Sequence, residues 1–167
     1  METYKVIEGF EGYSVSDHGN VKNNKTGRIK NVNANEKGYI QDSLSKDKKQ
    51  YKKMVHVFVA SAFIENPENK SFVDHIDNCK TNNIINNLRW ATSVENSQNR
   101  NMMITNTSGV KGVSLDKSSN KWIATISIDG IRINLGRFDK KEDAIHVRIT
   151  RANEAFGVFT NSCEKII

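Results

Sequence analysis

The chain has one proline and two cysteines in 167 residues. Cys79 and Cys163 stand alone with no C-x-x-C, so neither a zinc knuckle nor a disulfide framework is supported, and both are read as free thiols. Nowhere do roughly 18 apolar residues follow one another, which excludes a membrane-spanning helix. The opening METYKVIEGFEG lacks a signal-peptide pattern, so a cytosolic location, the host cytoplasm for a phage-encoded protein, is expected. The single proline, Pro67, with its Asn and Glu neighbours, ends the apolar run VHVFVASAFI of residues 55–64. That run is read as a buried helix.

Acidic residues are in the minority, with 19 Asp plus Glu against 25 Lys plus Arg, a net charge of +6. This balance favours a polyanionic partner but is too mild for a disordered basic arm. Residues 1–72 carry twelve basic and nine acidic side chains, 73–107 three of each, and 108–167 ten and seven. The excess therefore lies in two flanks around a neutral centre, which suits a protein that grips DNA on both sides of a reacting phosphate. Lys outnumbers Arg 18 to 7 and Asn occurs 21 times, a usage that fits an A·T-rich coding sequence such as that of a phage.

The neutral centre holds VDHIDNCKTNNIINNLRWATSVENSQNR, residues 73–100. Asp74 offers a hard divalent cation a full negative charge, and the Asn96 side-chain carbonyl offers a neutral second oxygen. Phosphate oxygens and water would fill the remaining positions. His75 adjoins the ligand and titrates near neutrality, so it can take a proton from an attacking water. Asn87 can fix the ring by accepting its other N–H. The single cation would stabilise the pentavalent phosphate and the leaving 3′ oxygen. Of the other histidines, His18 lies in the turn-like SDHGN, His56 is read as a hydrogen-bonded core histidine, and His146 as a surface or boundary residue.

On Asp74-His75, Asn87, the LRW that follows it, and Asn96, the chain resembles the HNH homing endonucleases of phages and introns. The resemblance covers roughly residues 55–100 and is to the branch that keeps the ββα-metal core without zinc. It implies a strand carrying Asp74 and His75, an Asn-rich loop, a second strand around Leu88 to Ala91, and a helix carrying Asn96. Asn99, one helical turn on, is the competing ligand. The family spacing favours Asn96. The cofactor implied is one Mg²⁺ or Mn²⁺ per site, with no zinc. Alternation in the second strand puts Trp90 toward the core while Arg89 reaches phosphate.

The expected class is α+β, in three modules. Residues 1–54 read as short strands punctuated by turns, with KKQYKK as a polar link into the next unit. They look like the small N-terminal module that often precedes this nuclease core, which implies DNA contacts from Lys22, Lys25, Arg28 and Lys30. Residues 55–100 form the nuclease core, and 101–109 a linker. In 110–160, VKGVSLDK, NKWIATISI and IRINLGRF predict three antiparallel strands, with Asp129-Gly130 as a hairpin turn. KKEDAIHVRITRANEAFG has helical spacing, with Gly157 as its stop.

This last segment resembles the apetala and ethylene-response DNA-binding domain of plants. In that family the sheet lies in the major groove. Alternation turns Trp122, Ala124, Ile126, Ile133 and Leu135 toward the helix and leaves Ile123, Thr125, Ser127, Arg132 and Asn134 outward. Lys111 and Arg132 match basic contact positions. Ser114, Asp116, Thr125, Ser127 and Asn134 depart from the family's residues, which implies weaker intrinsic affinity. The leading expectation is a site-specific, metal-dependent DNA endonuclease that acts on double-stranded DNA as a monomer. The alternative is a DNA-binding regulator with an inactive nuclease fold, against which the intact Asp74, His75, Asn87 and Asn96 argue.

Overall fold

Residues with left-handed backbone, Gly9, Asp47, Lys48, Asp129 and Gly130 among them, interrupt the alternating runs and turn them into antiparallel hairpins. The computed structural model describes residues 1–102, 105–161 and 164. Cys163 lies outside the described residues, whereas Cys79 is an exposed free thiol. The class is α+β, and the chain divides into two compact units, residues 1–93 and 94–167.

In the first unit, β1 (Tyr4–Ile7), β2 (Phe10–Ser16) and β3 (Val21–Asn23) form one meander. A second contains β4 (Asn33–Ala34), β5 (Ile40–Lys46) and β6 (Lys49–Met54). The KKQYKK segment is thus not a link but most of the edge strand β6. Its register with β5 runs from Lys46↔Lys49 to Gln41↔Met54. Exposed lysines are compatible with an edge position, where charge discourages pairing with other chains. Helix α1 (Val55–Phe63) follows directly, then the two-stranded ribbon of β7 (Phe72–His75) and β8 (Leu88–Ala91).

One core joins these pieces: Ile7, Val15, Val21 and Leu44 pack with Val55, Phe58, Val59 and Leu88. The module boundary expected between residues 54 and 55 is therefore not a packing boundary. A three-stranded sheet this short leaves apolar side chains uncovered, and the two sheets, α1 and β8 bury them against one another.

The second unit opens with α2 (Ser93–Gln98), which begins on the last residue of the first. The segment 101–109, expected as a linker, lies within this unit. There Ser108 donates to the Val110 carbonyl and Asn106 Oδ1 accepts the Gly109 N–H. Strands β9 (Val113–Asp116), β10 (Lys121–Ile128) and β11 (Ile131–Phe138) form an antiparallel sheet in the order β11-β10-β9. Helix α3 (Lys141–Phe156) packs on it and ends at Gly157, whose φ is +50°. Val110, Val113, Ala124 and Ala144 are the buried core, with Trp122 and Leu135 beside them. Of the residues predicted to face inward, Trp122, Ala124 and Leu135 join this core, Ile126 is buried and Ile133 half-buried, while Ser127, Arg132 and Asn134 are exposed. Arg148 pairs with Glu164 at 2.7 Å, both almost fully buried.

Because Leu44 is fully buried in the core shared with Leu88, Leu44→Ala should cost about 3 kcal/mol. Amide exchange should accelerate in β7 and β8 together with β5. Loss of protection confined to residues 1–54 would show that the two segments fold independently.

Candidate active site

Antiparallel pairing of β7 with β8 sets Asp74 opposite Arg89 and His75 opposite Leu88. Leu88 is drawn into the core at 4% exposure, and Trp90 donates its indole N–H to the Ile64 carbonyl at 3.0 Å. These two anchors hold the ribbon against α1. The loop between the strands is closed by carboxamides. Asn87 Nδ2 donates to Asp77 Oδ1 at 2.8 Å and to the Asn82 carbonyl at 2.8 Å, while Asn87 Oδ1 accepts the Asp77 N–H at 3.0 Å. Asn82 Nδ2 and the Cys79 N–H also donate to the Asp77 carboxylate. Burial pushes the Asp77 carboxyl up, but bonds from Asn82, Cys79 and Asn87 outweigh it and hold it below the usual carboxylate range.

His75 is 5% exposed, and its Nε2 lies 3.0 Å from Asn83 Oδ1. A carboxamide oxygen only accepts, so this bond keeps the proton on Nε2 and leaves the lone pair on Nδ1. The ring partner is thus Asn83 rather than the expected Asn87, whose carboxamide is spent on closing the loop. His56 stands behind His75 with ring centroids 4.8 Å apart, and Tyr39 lies 5.3 Å from His56 and 6.0 Å from His75. His56 is buried as expected, but its Nδ1 is a buried atom without a hydrogen-bond partner. Burial, with a smaller effect of neighbouring His75, lowers its pKa to about 4, so it is neutral at physiological pH.

Asp74 is 4% exposed, and Arg89 covers its charge: Nε and Nη2 both donate to Oδ2, at 2.8 and 2.6 Å. A carboxylate buried this far needs a counter-charge, and the strand register puts a guanidinium directly across from it. Arg89, expected to reach phosphate, is paired here with Asp74 across the ribbon. The Asp74 carboxylate is a hard oxygen donor of the kind that Mg²⁺ and Mn²⁺ take, so its chemistry fits such a cation. Among the described residues, no three His, Cys, Asp or Glu side chains converge into a protein cage. Reliance on few carboxylates plus substrate phosphates is the usual pattern for Mg²⁺.

Asn96 lies on α2 and is half-buried. Asn99, the competing ligand, falls just past the end of that helix at 1% exposure. Its backbone carbonyl accepts Asn161 Nδ2 at 2.6 Å, and its Oδ1 lies 3.4 Å from the same nitrogen. Lys111, Thr125, Ser127 and Arg132 line one cavity of about 370 Å³ together with Arg148 and Glu164. Asn134 is not among its lining residues; its Oδ1 accepts the Gly136 N–H at 3.0 Å. Lys111 Nζ donates to the Gln98 carbonyl at 2.8 Å, and Arg132 Nη2 approaches Thr125 Oγ1 at 3.4 Å. In the first unit Lys30 is tied to Asp42 at 2.6 Å and Lys22 lies over the Tyr4 ring, whereas Lys25 and Arg28 are exposed.

Sequence reasoning missed Asn83, Asp77 and Tyr39. Asn83 is one of 21 asparagines and has no distinguishing neighbour in the chain. Asp77 does carry a signal, because a carboxylate two residues past the Asp-His pair on an Asn-rich loop has carboxamide donors within reach.

A ribbon that carries an Asp-His pair, a carboxamide-closed loop and a following Asn-bearing helix defines a nuclease core of the HNH class. Comparison with known proteins agrees. The NUMOD4 motif matches residues 2–45. DNA endonuclease I-HmuI of Bacillus phage SP01 is 38% identical over 132 residues, covering 77% of this chain and 74% of that protein. Protein 3.8 of Escherichia phage T7 is 36% identical over 88 residues, 53% of this chain and 72% of its own length. The uncharacterized HNH endonuclease L247 of Acanthamoeba polyphaga mimivirus is 45% identical over 95 residues, but the chain covers only 24% of it. A solved structure, described as DNA binding and cleavage by the HNH homing endonuclease I-HmuI, matches with a TM-score of 0.57 at 28% identity. It covers 93% of this chain and 92% of that one. The chain belongs to the HNH homing endonuclease family.

His56 supplies a pH signature. Its folded pKa of about 4 lies below the unfolded value of 6.5, so its neutral burial costs nothing above pH 6.5 and progressively destabilises the fold as pH falls toward 4. Below that the penalty stops growing. Melting temperatures at pH 7 and pH 5 should differ less in His56→Leu than in the wild type. An identical difference in both would assign the acid sensitivity to other groups.

Proposed function

We propose that the chain is a site-specific, metal-dependent DNA endonuclease of the homing type, with His75 as general base. The observation that carries this reading is the 3.0 Å bond from His75 Nε2 to Asn83 Oδ1, next to the buried carboxylate of Asp74. A general base must offer a lone pair, and this bond assigns it to Nδ1. His75 Nδ1 takes a proton from water, the oxygen forms a bond to phosphorus, and the bond to the 3′ oxygen breaks. Asp74 and, on the spacing of the motif, Asn96 hold one Mg²⁺ or Mn²⁺, which when bound neutralises charge on the phosphate and the departing oxygen. Burial of Asn99 against Asn161 favours Asn96 as the second ligand. Asn87 acts by closing the loop around Asp77.

Double-stranded DNA is the proposed partner, bound by a monomer. The relatives point the same way, since I-HmuI is described as binding and cleaving DNA. In the second unit the three-stranded sheet with one helix behind it is the topology that the apetala resemblance implies. Ser127, Arg132 and Asn134 on its exposed face are the proposed readers, with Thr125 and Lys111 beside them. Lys111 and Arg132 carry the positive charge of that group.

Asp74→Ala and His75→Ala should abolish plasmid cleavage in Mg²⁺ while DNA affinity stays within a few-fold. Cutting at the wild-type rate by either variant contradicts the assignment. In a Mn²⁺ titration, Asn96→Ala should need more metal than Asn99→Ala.

Arg132→Ala distinguishes two modes of contact in the second unit. A base-edge contact relaxes preference at one position at a cost of about 1–3 kcal/mol, whereas a phosphate contact weakens all sequences and lowers the salt slope by about 0.9. Unchanged affinity, slope and site choice would remove Arg132 from the interface.

A further inference from the structure

The SDHGN turn between β2 and β3 is tightly built, with Ser16 and Gly19 buried and only His18 exposed. Ser16 Oγ accepts the Asn20 N–H at 2.9 Å, and Asp17 exchanges two bonds with Thr3, each at 3.1 Å. The turn so fixed presses on the loop that carries Asn83. The Asp17 carbonyl accepts the Ile85 N–H at 2.8 Å. Gly19 has φ +84°, and a Cβ built on it would lie 2.7 Å from Asn83 Cβ and 3.3 Å from the Asn83 carbonyl oxygen. Glycine is thus required twice over at this position, by backbone conformation and by the neighbour it faces. Asn83 is 5% exposed, and its Oδ1 holds His75 Nε2.

We propose that the Asp17–Gly19 turn of the N-terminal module is a positioning element for the catalytic base: it seats Asn83, and Asn83 sets the tautomer and orientation of His75. The inference rests on the reading of His75 as general base. The module thereby belongs to the catalytic apparatus whatever DNA contacts it also makes. Ordinary contact begins at 3.4 Å, so a side chain at position 19 must drive Asn83 back from its 2.7 Å approach by about 0.7 Å. That displacement is enough to take a 3.0 Å bond beyond hydrogen-bonding distance. Loss of the bond removes the acceptor that keeps the proton on Nε2. Misplacement of a reacting group by about 1 Å costs up to roughly 100-fold in rate.

The test uses the full chain with Mg²⁺ and plasmid DNA carrying the sequence that flanks its own gene. Single-turnover cleavage at saturating protein, DNA affinity and melting temperature are measured for Gly19→Ala, Gly19→Asn, Asn83→Ala, Asn83→Asp, His75→Ala and the double variant Gly19→Ala/Asn83→Ala. Gly19→Asn is included because asparagine tolerates left-handed backbone yet still carries the Cβ, so its effect isolates the contact from backbone strain. Gly19→Asn and Asn83→Ala should each slow cleavage about 10- to 100-fold with DNA affinity within about threefold. Asn83→Asp, which keeps an acceptor for Nε2–H, should recover most of the rate. The double variant should be no slower than Asn83→Ala, since the turn acts through a bond already lost. Wild-type rates for Gly19→Asn and Asn83→Ala beside an inactive His75→Ala would overturn this inference alone. A double variant slowed by the full product of the single losses would also overturn it. Wild-type cutting by His75→Ala would instead overturn the reading of the site itself.

Discussion

Pairing between β7 and β8 is the constraint on which the first unit's chemistry depends. Each strand has four residues, and an isolated two-stranded ribbon is at best marginally stable in water. It persists here because Leu88 enters a core supplied by α1 and both N-terminal sheets. Once the register is set, the rest follows. Asp74 must face Arg89, His75 lies at the end of its strand, and the intervening loop has to turn back within reach of both.

That loop spends its polar groups on itself. Asp77, Asn82 and Asn87 exchange bonds that satisfy backbone and side chain together. Asn83 turns its carboxamide to the His75 ring. An Asn-rich stretch suits the task because a carboxamide is donor and acceptor at once and carries no charge to desolvate. The positive φ of Asn78 is a second reason, since asparagine adopts left-handed backbone at lower cost than most residues.

Charge burial is handled differently. Asp74 is neutralised by a guanidinium opposite it, and Glu164 by Arg148. Burial raises the Glu164 carboxyl above its usual range, with Arg148 and then Lys111 acting against it. His56 has no such partner for Nδ1 and is kept neutral at physiological pH mainly by desolvation, with a smaller effect of His75. The wall behind His75 is therefore aromatic and uncharged.

The strands, the helices and the Asp-His pair were legible in the chain because each is a local pattern. Alternation marked β10 and β11, Asp129-Gly130 their turn, and period 3.6 marked α3. The charge pattern of KKQYKK misled, because edge strands escape the alternation that burial imposes on inner ones. Function class was equally local, carried by Asp74, His75, Asn87 and Asn96 at their spacings. Partnership was not. Which of many asparagines holds His75, that Arg89 meets Asp74, and that Gly19 abuts Asn83 are contacts between residues as many as 64 positions apart. The amino-acid order by itself determined which groups were available and which elements would carry them. Only tertiary packing decided which of them meet, because hydrogen bonds and ion pairs require approach within a few ångströms that the shared core and the strand register impose.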